Sequence, residues 1–339
     1  MNLSNIAGRF LAPRADENLA VWKGEKRGHY EVWYLTFNAP ADRVAFWLRY
    51  TLDAPDHGEP YAELWGHFFD GKDPDKRFGL RKRVPRSDFE VGGGDILRIG
   101  EARLGEHGAS GALEGSGHTL SWDLTHDGCP TAFFMFPSVL RGLLVRKRTN
   151  WGVPNIDVRF RGKVEVDGRT FALNGAPGQQ AHLAGHKHAD SWTWLHCNTF
   201  DHGRTALVEL VAPRVPGTDR VLTTVYLRYE GRDYLCNALP GAGLFNRSER
   251  SFPEFRFWAR SGALEFVGHA RANPAQCLQV KYEDPDGAKS YCSNSELSDL
   301  SLEVKKWGRP IDRLTATGTA HLEFADRQQR LGVPLCPGP

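Results

Sequence analysis

No apolar run in this sequence approaches the ~20 residues that a membrane span needs, and its six cysteines include no Cys-x-x-Cys pair. A transmembrane helix, a zinc knuckle and a redox dithiol are thereby set aside. The first ten residues, Met-Asn-Leu-Ser-Asn-Ile-Ala-Gly-Arg-Phe, lack the basic-then-apolar layout of a secretory signal. The cytoplasm is therefore the expected location, and the cysteines are expected to be reduced, Cys277 and Cys292 included although they flank a turn. Charge of one sign is lacking as well: 43 Lys plus Arg nearly balance 41 Asp plus Glu, so nucleic acid is not an expected partner. Neither Ser138 nor Ser191 sits in a Gly-x-Ser-x-Gly elbow, and Gly92-Gly93-Gly94-Asp95 precedes a strand rather than a helix, which removes the serine-hydrolase and phosphate-cradle readings.

What the chain has instead is aromatic and β-branched runs from residue 30 to residue 325, separated by Gly, Asp, Pro and Asn clusters. These predict a mostly-β protein. Glu114-Gly115-Ser116-Gly117-His118 and Glu165-Val166-Asp167-Gly168-Arg169 are hairpin signals, the second the stronger because Asp-Gly supplies the positive φ values of a type I′ turn. One segment departs from this pattern. Pro137–Arg148 places Leu140, Leu143 and Leu144 at helical spacing before Arg146, Lys147 and Arg148, and predicts one short helix near 137–147. Such a basic amphipathic helix either covers a barrel end or makes a peripheral membrane contact. About eight strands in each half fit two successive up-and-down barrels or one continuous β structure. Barrels of this size can enclose one small ligand, so a cavity is expected, and the sequence leaves open which barrel or interface holds it. The division is placed at residues 1–175 and 176–339, within about 20 residues. Val44–Leu52 echoes Val221–Glu230, which suggests a duplication.

Residues 178–201 concentrate the chemistry, with His182, His186, His188, His196, Trp192, Trp194, Asn198, Asp190 and Asp201 all within 24 positions. At the two-residue period of a strand, Trp192, Trp194, His196 and Asn198 share one face. That face combines apolar rings with polar handles, as an apolar ligand pocket requires. Protonation of an alkene needs an acid that stays protonated near neutral pH, for which Asp190, His186, His188 and His196 are the candidates. Trp192 and Trp194 would then face the resulting cation, while Trp65, His67 and Trp122 are secondary candidates for the pocket wall. A metal site is the rival reading: His186, His188 and Asp190, completed by His182 or His196, form a set of the kind zinc or non-haem iron uses. The glutamate that a cupin pattern expects after His-x-His is absent, so no metal or other cofactor is expected.

Glu31-Val32-Trp33-Tyr34 resembles the Glu-x-Trp-Tyr opening of the tocopherol cyclase, carotenoid 1,2-hydratase and AttH-like group of proteins. The Gly178–Phe200 segment, with His-Leu-Ala-Gly-His followed by Trp-x-Trp-Leu-His-Cys-Asn, is similar to that group's mid-chain Gly-x-x-x-x-His-x-Trp-Gly and Trp-x-Trp pattern. It departs from the pattern at Gly185-His186-Lys187-His188, where Trp-Gly would stand. The resemblance covers nearly the whole chain. It implies two tandem lipocalin-like antiparallel β-barrels packed together, and a lipophilic isoprenoid or polyketide-like substrate that is cyclised, isomerised or hydrated without a redox cofactor. A non-catalytic lipophile carrier is the alternative. The sequence leaves the oligomeric state open. With strands dominating and one short helix expected, far-ultraviolet circular dichroism should report well under a fifth of the residues as helix, and a strong helical double minimum would contradict this reading.

Overall fold

The computed structural model describes residues 18–24, 27–129, 131–135, 149–215, 217–236 and 246–338. The helix expected near 137–147 lies outside the described residues. Among those described, the helical elements are single 3-10 turns at Pro74–Lys76, Arg86–Asp88, Asp201–Gly203 and Pro274–Gln276. All else of regular structure is strand. The first sheet holds β1 (His29–Ala39), β2 (Val44–Ala54), β3 (Tyr61–Asp70), β4 (Phe78–Pro85), β5 (Phe89–Gly92), β6 (Asp95–Ile99), β7 (Ala102–Gly105), β8 (Gly108–Gly115), β9 (His118–His126), β10 (Phe133–Phe134), β11 (Asn150–Val166) and β12 (Arg169–Gly185). The second holds β13 (Trp192–Cys197), β14 (Ala206–Pro213), β15 (Thr224–Tyr229), β16 (Arg232–Leu235), β17 (Arg247–Ser251), β18 (Glu254–Ser261), β19 (Leu264–Arg271), β20 (Leu278–Glu283), β21 (Lys289–Lys306) and β22 (Arg309–Asp326). The expected pair of lipocalin-like antiparallel β-barrels is the fold found. The change of sheet falls between Gly185 and Trp192, because β12 is a 17-residue strand that stays in the first sheet to its end.

Both sheets follow one course. The first runs β4-β3-β2-β1-β12-β11-β9-β8-β7-β6-β5, and the second β16-β15-β14-β13-β22-β21-β19-β18-β17, with β10 on β11 and β20 on β21. Each therefore lays down four strands and later returns a long hairpin beside its first strand. The two long hairpins turn at equivalent places, Asp167-Gly168 and Trp307-Gly308, with φ values of 48° and 79°, and 52° and 76°. Positive φ at both central residues gives the twist that antiparallel strands need across a two-residue turn. The Val44–Leu52 echo is corrected by this topology: its second copy falls on β15, whereas the counterpart of β2 is β14.

Every residue of β1 and β2 is buried, although strands of an ordinary barrel alternate. The register explains why. With Tyr34 opposite Arg49 and Phe37 opposite Phe46, the odd residues of β1 and even residues of β2 point into the first barrel. There Phe37 packs on Phe46 and Phe160 at ring distances of 5.1 and 4.9 Å, and Trp122 donates to the Tyr50 hydroxyl at 2.9 Å. The opposite face, with Tyr34, Thr36, Asn38, Trp47 and Arg49, is covered by the second sheet. Its contacts are polar in part: the Thr36 hydroxyl donates to Glu296 Oε2 at 2.5 Å, and Asn38 Nδ2 donates to the Glu296 carbonyl at 2.8 Å while Oδ1 lies 2.6 Å from His321 Nε2. Asn38→Ala would leave two buried polar groups unpartnered at once. Each costs about 1–3 kcal/mol, so urea unfolding should show a loss of roughly 2 kcal/mol or more, seen as a lower midpoint at unchanged slope.

Candidate functional site

A cavity of about 580 Å³ opens between the two sheets, at their interface and not inside the first barrel, whose interior is filled by the rings just described. Its wall takes Val32 and Tyr34 from β1, Trp47 and Arg49 from β2, Trp151 from β11, Leu183 from β12, Trp192 and Trp194 from β13, Val211 from β14, Tyr282 from β20 and Glu323 from β22. Lys187, His188, Ala189 and Asp190, the link between the sheets, close one side. These are the residues that the pleat of β1, β2, β13 and β22 turns away from the barrel cores, so the cavity follows from the packing of one sheet on the other. Lining of this kind, mostly apolar with a few placed polar groups, suits a small lipophile.

Of the residues singled out from sequence, His188, Asp190, Trp192 and Trp194 line the cavity. The His188 ring stacks on Tyr30 at 4.3 Å, Trp192 at 5.4 Å and Tyr282 at 5.5 Å. Its Nδ1 lies 2.6 Å from Asp284 Oδ1, which also accepts the His188 backbone N–H at 2.9 Å. Burial pushes the His188 imidazole below its ordinary pKa despite Asp284. Burial alone would raise Asp284, yet its bonds with His188 and Arg327 hold it below the usual carboxylate range. Asp190 is half-buried and lies 3.3 Å from Arg327 Nε.

The others stand elsewhere. His196 shares a face with Trp194, their rings stacked at 6.3 Å, but lies behind it and off the cavity wall. Its Nδ1 is 2.7 Å from Glu209 Oε2, while Trp194 Nε1 donates to Glu209 Oε1 at 2.6 Å. Burial takes His196 down to about 3 and lifts Glu209 well above its ordinary value, so this pair is held uncharged. An imidazole so placed does not supply the imidazolium expected of it. Asn198 is bound to Asp157 and the Gly178 carbonyl, and His186 to the Gly28 carbonyl. Trp122 is inside the first barrel. Trp65 and His67 lie on the inter-sheet face but off the cavity, His67 stacked on Trp47 at 4.6 Å and lowered by burial to about 3. His182 turns into the first barrel against Glu31 at 2.8 Å, away from His188. Among the described residues, no three His, Cys, Asp or Glu side chains are grouped to hold a metal ion.

Sequence reasoning missed Glu323, Arg49, Tyr282, Trp47 and Asp284. Glu323 is opposite Trp194 across β13 and β22, and burial lifts its carboxyl to about 7, against the weaker pull of Cys292, Trp192 and Arg49. The cavity thus presents a carboxyl able to carry a proton at neutral pH and an imidazole able to accept one.

Residues 150–325 match the tocopherol cyclase-like family, more than half of the chain. The chain belongs to the tocopherol cyclase-like family. The match carries His188, Trp192, Trp194, Tyr282 and Glu323, and leaves Tyr34, Trp47 and Arg49 outside it. Proteins from two strains of Mycobacterium tuberculosis, both described as uncharacterized, are 28% identical over 312 residues, covering 90% of this chain and 88% of theirs. An AttH structure from Nitrosomonas europaea superposes with a TM-score of 0.52 at 11% identity, over 88% of this chain and 93% of that one. Kievitone hydratase from Nectria haematococca superposes with a TM-score of 0.51 at 10% identity, over 93% and 97%. At such identities the two structures share the fold of this family member.

The raised Glu323 carboxyl has a consequence for stability. Its folded pKa of about 7 lies above the ordinary 4.5, so the folded state holds this proton more tightly than the unfolded chain does. The stability it contributes is complete below about 4.5 and is lost as pH climbs through about 7. Glu323→Gln removes that dependence. Urea midpoints measured from pH 4.5 to pH 8 should show the wild type losing stability relative to the variant by about 3 kcal/mol, at 1.36 kcal/mol per pH unit.

Proposed function

We propose that the cavity between the sheets takes a lipophilic small molecule, isoprenoid or polyketide-like in its apolar bulk, and that Glu323 and His188 move protons to and from it. The observation that carries this reading is that a carboxyl raised to about 7 and an imidazole oriented by Asp284 line one apolar cavity. Protonated Glu323 donates to an alkene carbon, and the adjacent carbon becomes the cation. Three outcomes share this beginning. Loss of a neighbouring proton to His188 isomerises the alkene, capture by a hydroxyl of the same molecule, whose proton passes to His188, cyclises it, and capture of a water deprotonated by His188 hydrates it. Asp284 occupies Nδ1, which leaves Nε2 as the accepting nitrogen. The indole faces of Trp192 and Trp194 favour the cation by about 2 kcal/mol or more where water is excluded. Membership of the tocopherol cyclase-like family supports the reading, as does a hydratase among proteins of the same fold.

Native mass spectrometry of the protein from its host should reveal a co-purified lipophile, which is then incubated with the protein in deuterated water. Deuterium is expected to enter the carbon skeleton. Glu323→Gln should retain affinity and lose turnover by the 10²–10⁴-fold typical of a missing general acid, and His188→Gln should do likewise. The rate should fall as pH rises past about 7, where Glu323 loses its proton, and fall again below the depressed pKa of His188. Tight binding with no deuterium incorporation would make the protein a carrier instead.

A further inference from the structure

Arg49 is the only arginine or lysine buried among the described residues, 6% exposed, and it lies on the cavity wall. Its neighbours on the same face of the first sheet are paired: Arg81 and Arg83 hold Glu63 at 2.7 and 2.8 Å. Arg49 has no carboxylate within 4 Å among the described residues. Its Nε donates to the Thr51 hydroxyl at 2.9 Å, and its guanidinium lies over the rings of Tyr282 at 4.4 Å and Trp65 at 5.1 Å. Aromatic faces hold a cation in place but leave its net charge uncompensated. A buried guanidinium without a counter-ion is costly, by several kcal/mol. Two acids feel its charge, Asp53 and Glu323, and each is nonetheless pushed up to about 7 by burial, so they offset it only in part near neutral pH. At the cavity's edge Lys187 pairs with Asp286, and Arg214 lies 3.9 Å from the exposed Asp219. Arg49 is therefore the buried cation on this wall that has no carboxylate partner among the described residues, in a cavity whose lining is mostly apolar.

We infer that the cavity selects amphiphiles that carry an ionised carboxylate on an apolar body, and that Arg49 is the residue that binds that carboxylate. The inference rests on the cavity being a lipophile site, as proposed above. A fork of two parallel N–H donors matches a carboxylate, and in a site closed to water such a charge-assisted pair is strong. Pairing also removes the cation's opposition to positive charge developing elsewhere on the ligand, and it relieves the pull of Arg49 on the Glu323 proton. An anionic ligand would thus help keep Glu323 in its proton-donating form.

The test uses dodecanoate, dodecanol and methyl dodecanoate at pH 8, titrated by calorimetry into the full-length protein. Dodecanoate is expected to bind at least tenfold more tightly than the other two. Arg49→Met, which keeps the length of the stem, should lose that preference while binding dodecanol as the wild type does, and Arg49→Lys should keep part of it. Equal binding of all three by the wild type, or a preference that survives Arg49→Met, overturns the inference and leaves the lipophile reading standing. Binding of none of them overturns both. Should Arg49→Met fail to fold, the wild-type comparison still decides whether the acid is preferred.

Discussion

The packing of β1 and β2 against the second sheet is the constraint on which the rest depends. A strand in a lone barrel has one face in the core and one in water. Here the first strands of both sheets are covered on both faces, so every side chain pointing out of one barrel must either pack on the other or find a polar partner there. Aromatic residues meet the first requirement, and the Thr36, Asn38, Glu296 and His321 contacts meet the second. The cavity is the part of this layer where the two sheets do not fill the space between them, which is why its wall is assembled from eight strands and no single barrel owns it.

That origin also explains what could be read from the sequence. Alternation in Trp192–Cys197 is legible because the two faces of β13 differ in kind, Leu195 and Cys197 entering one core while Trp192 and Trp194 enter the cavity. The Asp167-Gly168 turn is legible because its φ values demand such residues. Glu323 and Arg49 are not, since an acid or a base alternating with large apolar side chains, as in His-Leu-Glu-Phe or Trp-Leu-Arg-Tyr, has the pattern of a strand with one wet face. Only the apposition of a second sheet converts that wet face into a buried one. Asp284 is hidden for a different reason: it lies in a turn remote in sequence from His188, and nothing local marks the pair. The cavity's placement stays open in the sequence on the same ground, because a barrel's interior follows from its strands but an interface between barrels does not.

The inter-sheet layer settles its charges in two ways. In its depth, burial makes ionisation costly for acids and imidazoles alike, raising Glu209 and Glu296 and lowering His196 and His321, so hydrogen-bonded neutral groups replace ion pairs. These groups fix the register of one sheet on the other without holding a charge that must be compensated. Nearer the cavity the same burial is weaker in its outcome. Glu323 stops near 7, where a small change in its surroundings decides whether it is protonated, and Arg49 places a guanidinium on the same wall. A site is reactive where its groups are poised rather than fixed. One gradient of desolvation across this layer therefore yields inert neutral pairs at the depth and a titratable acid at the cavity, and the chemistry belongs to the place where the sheets part.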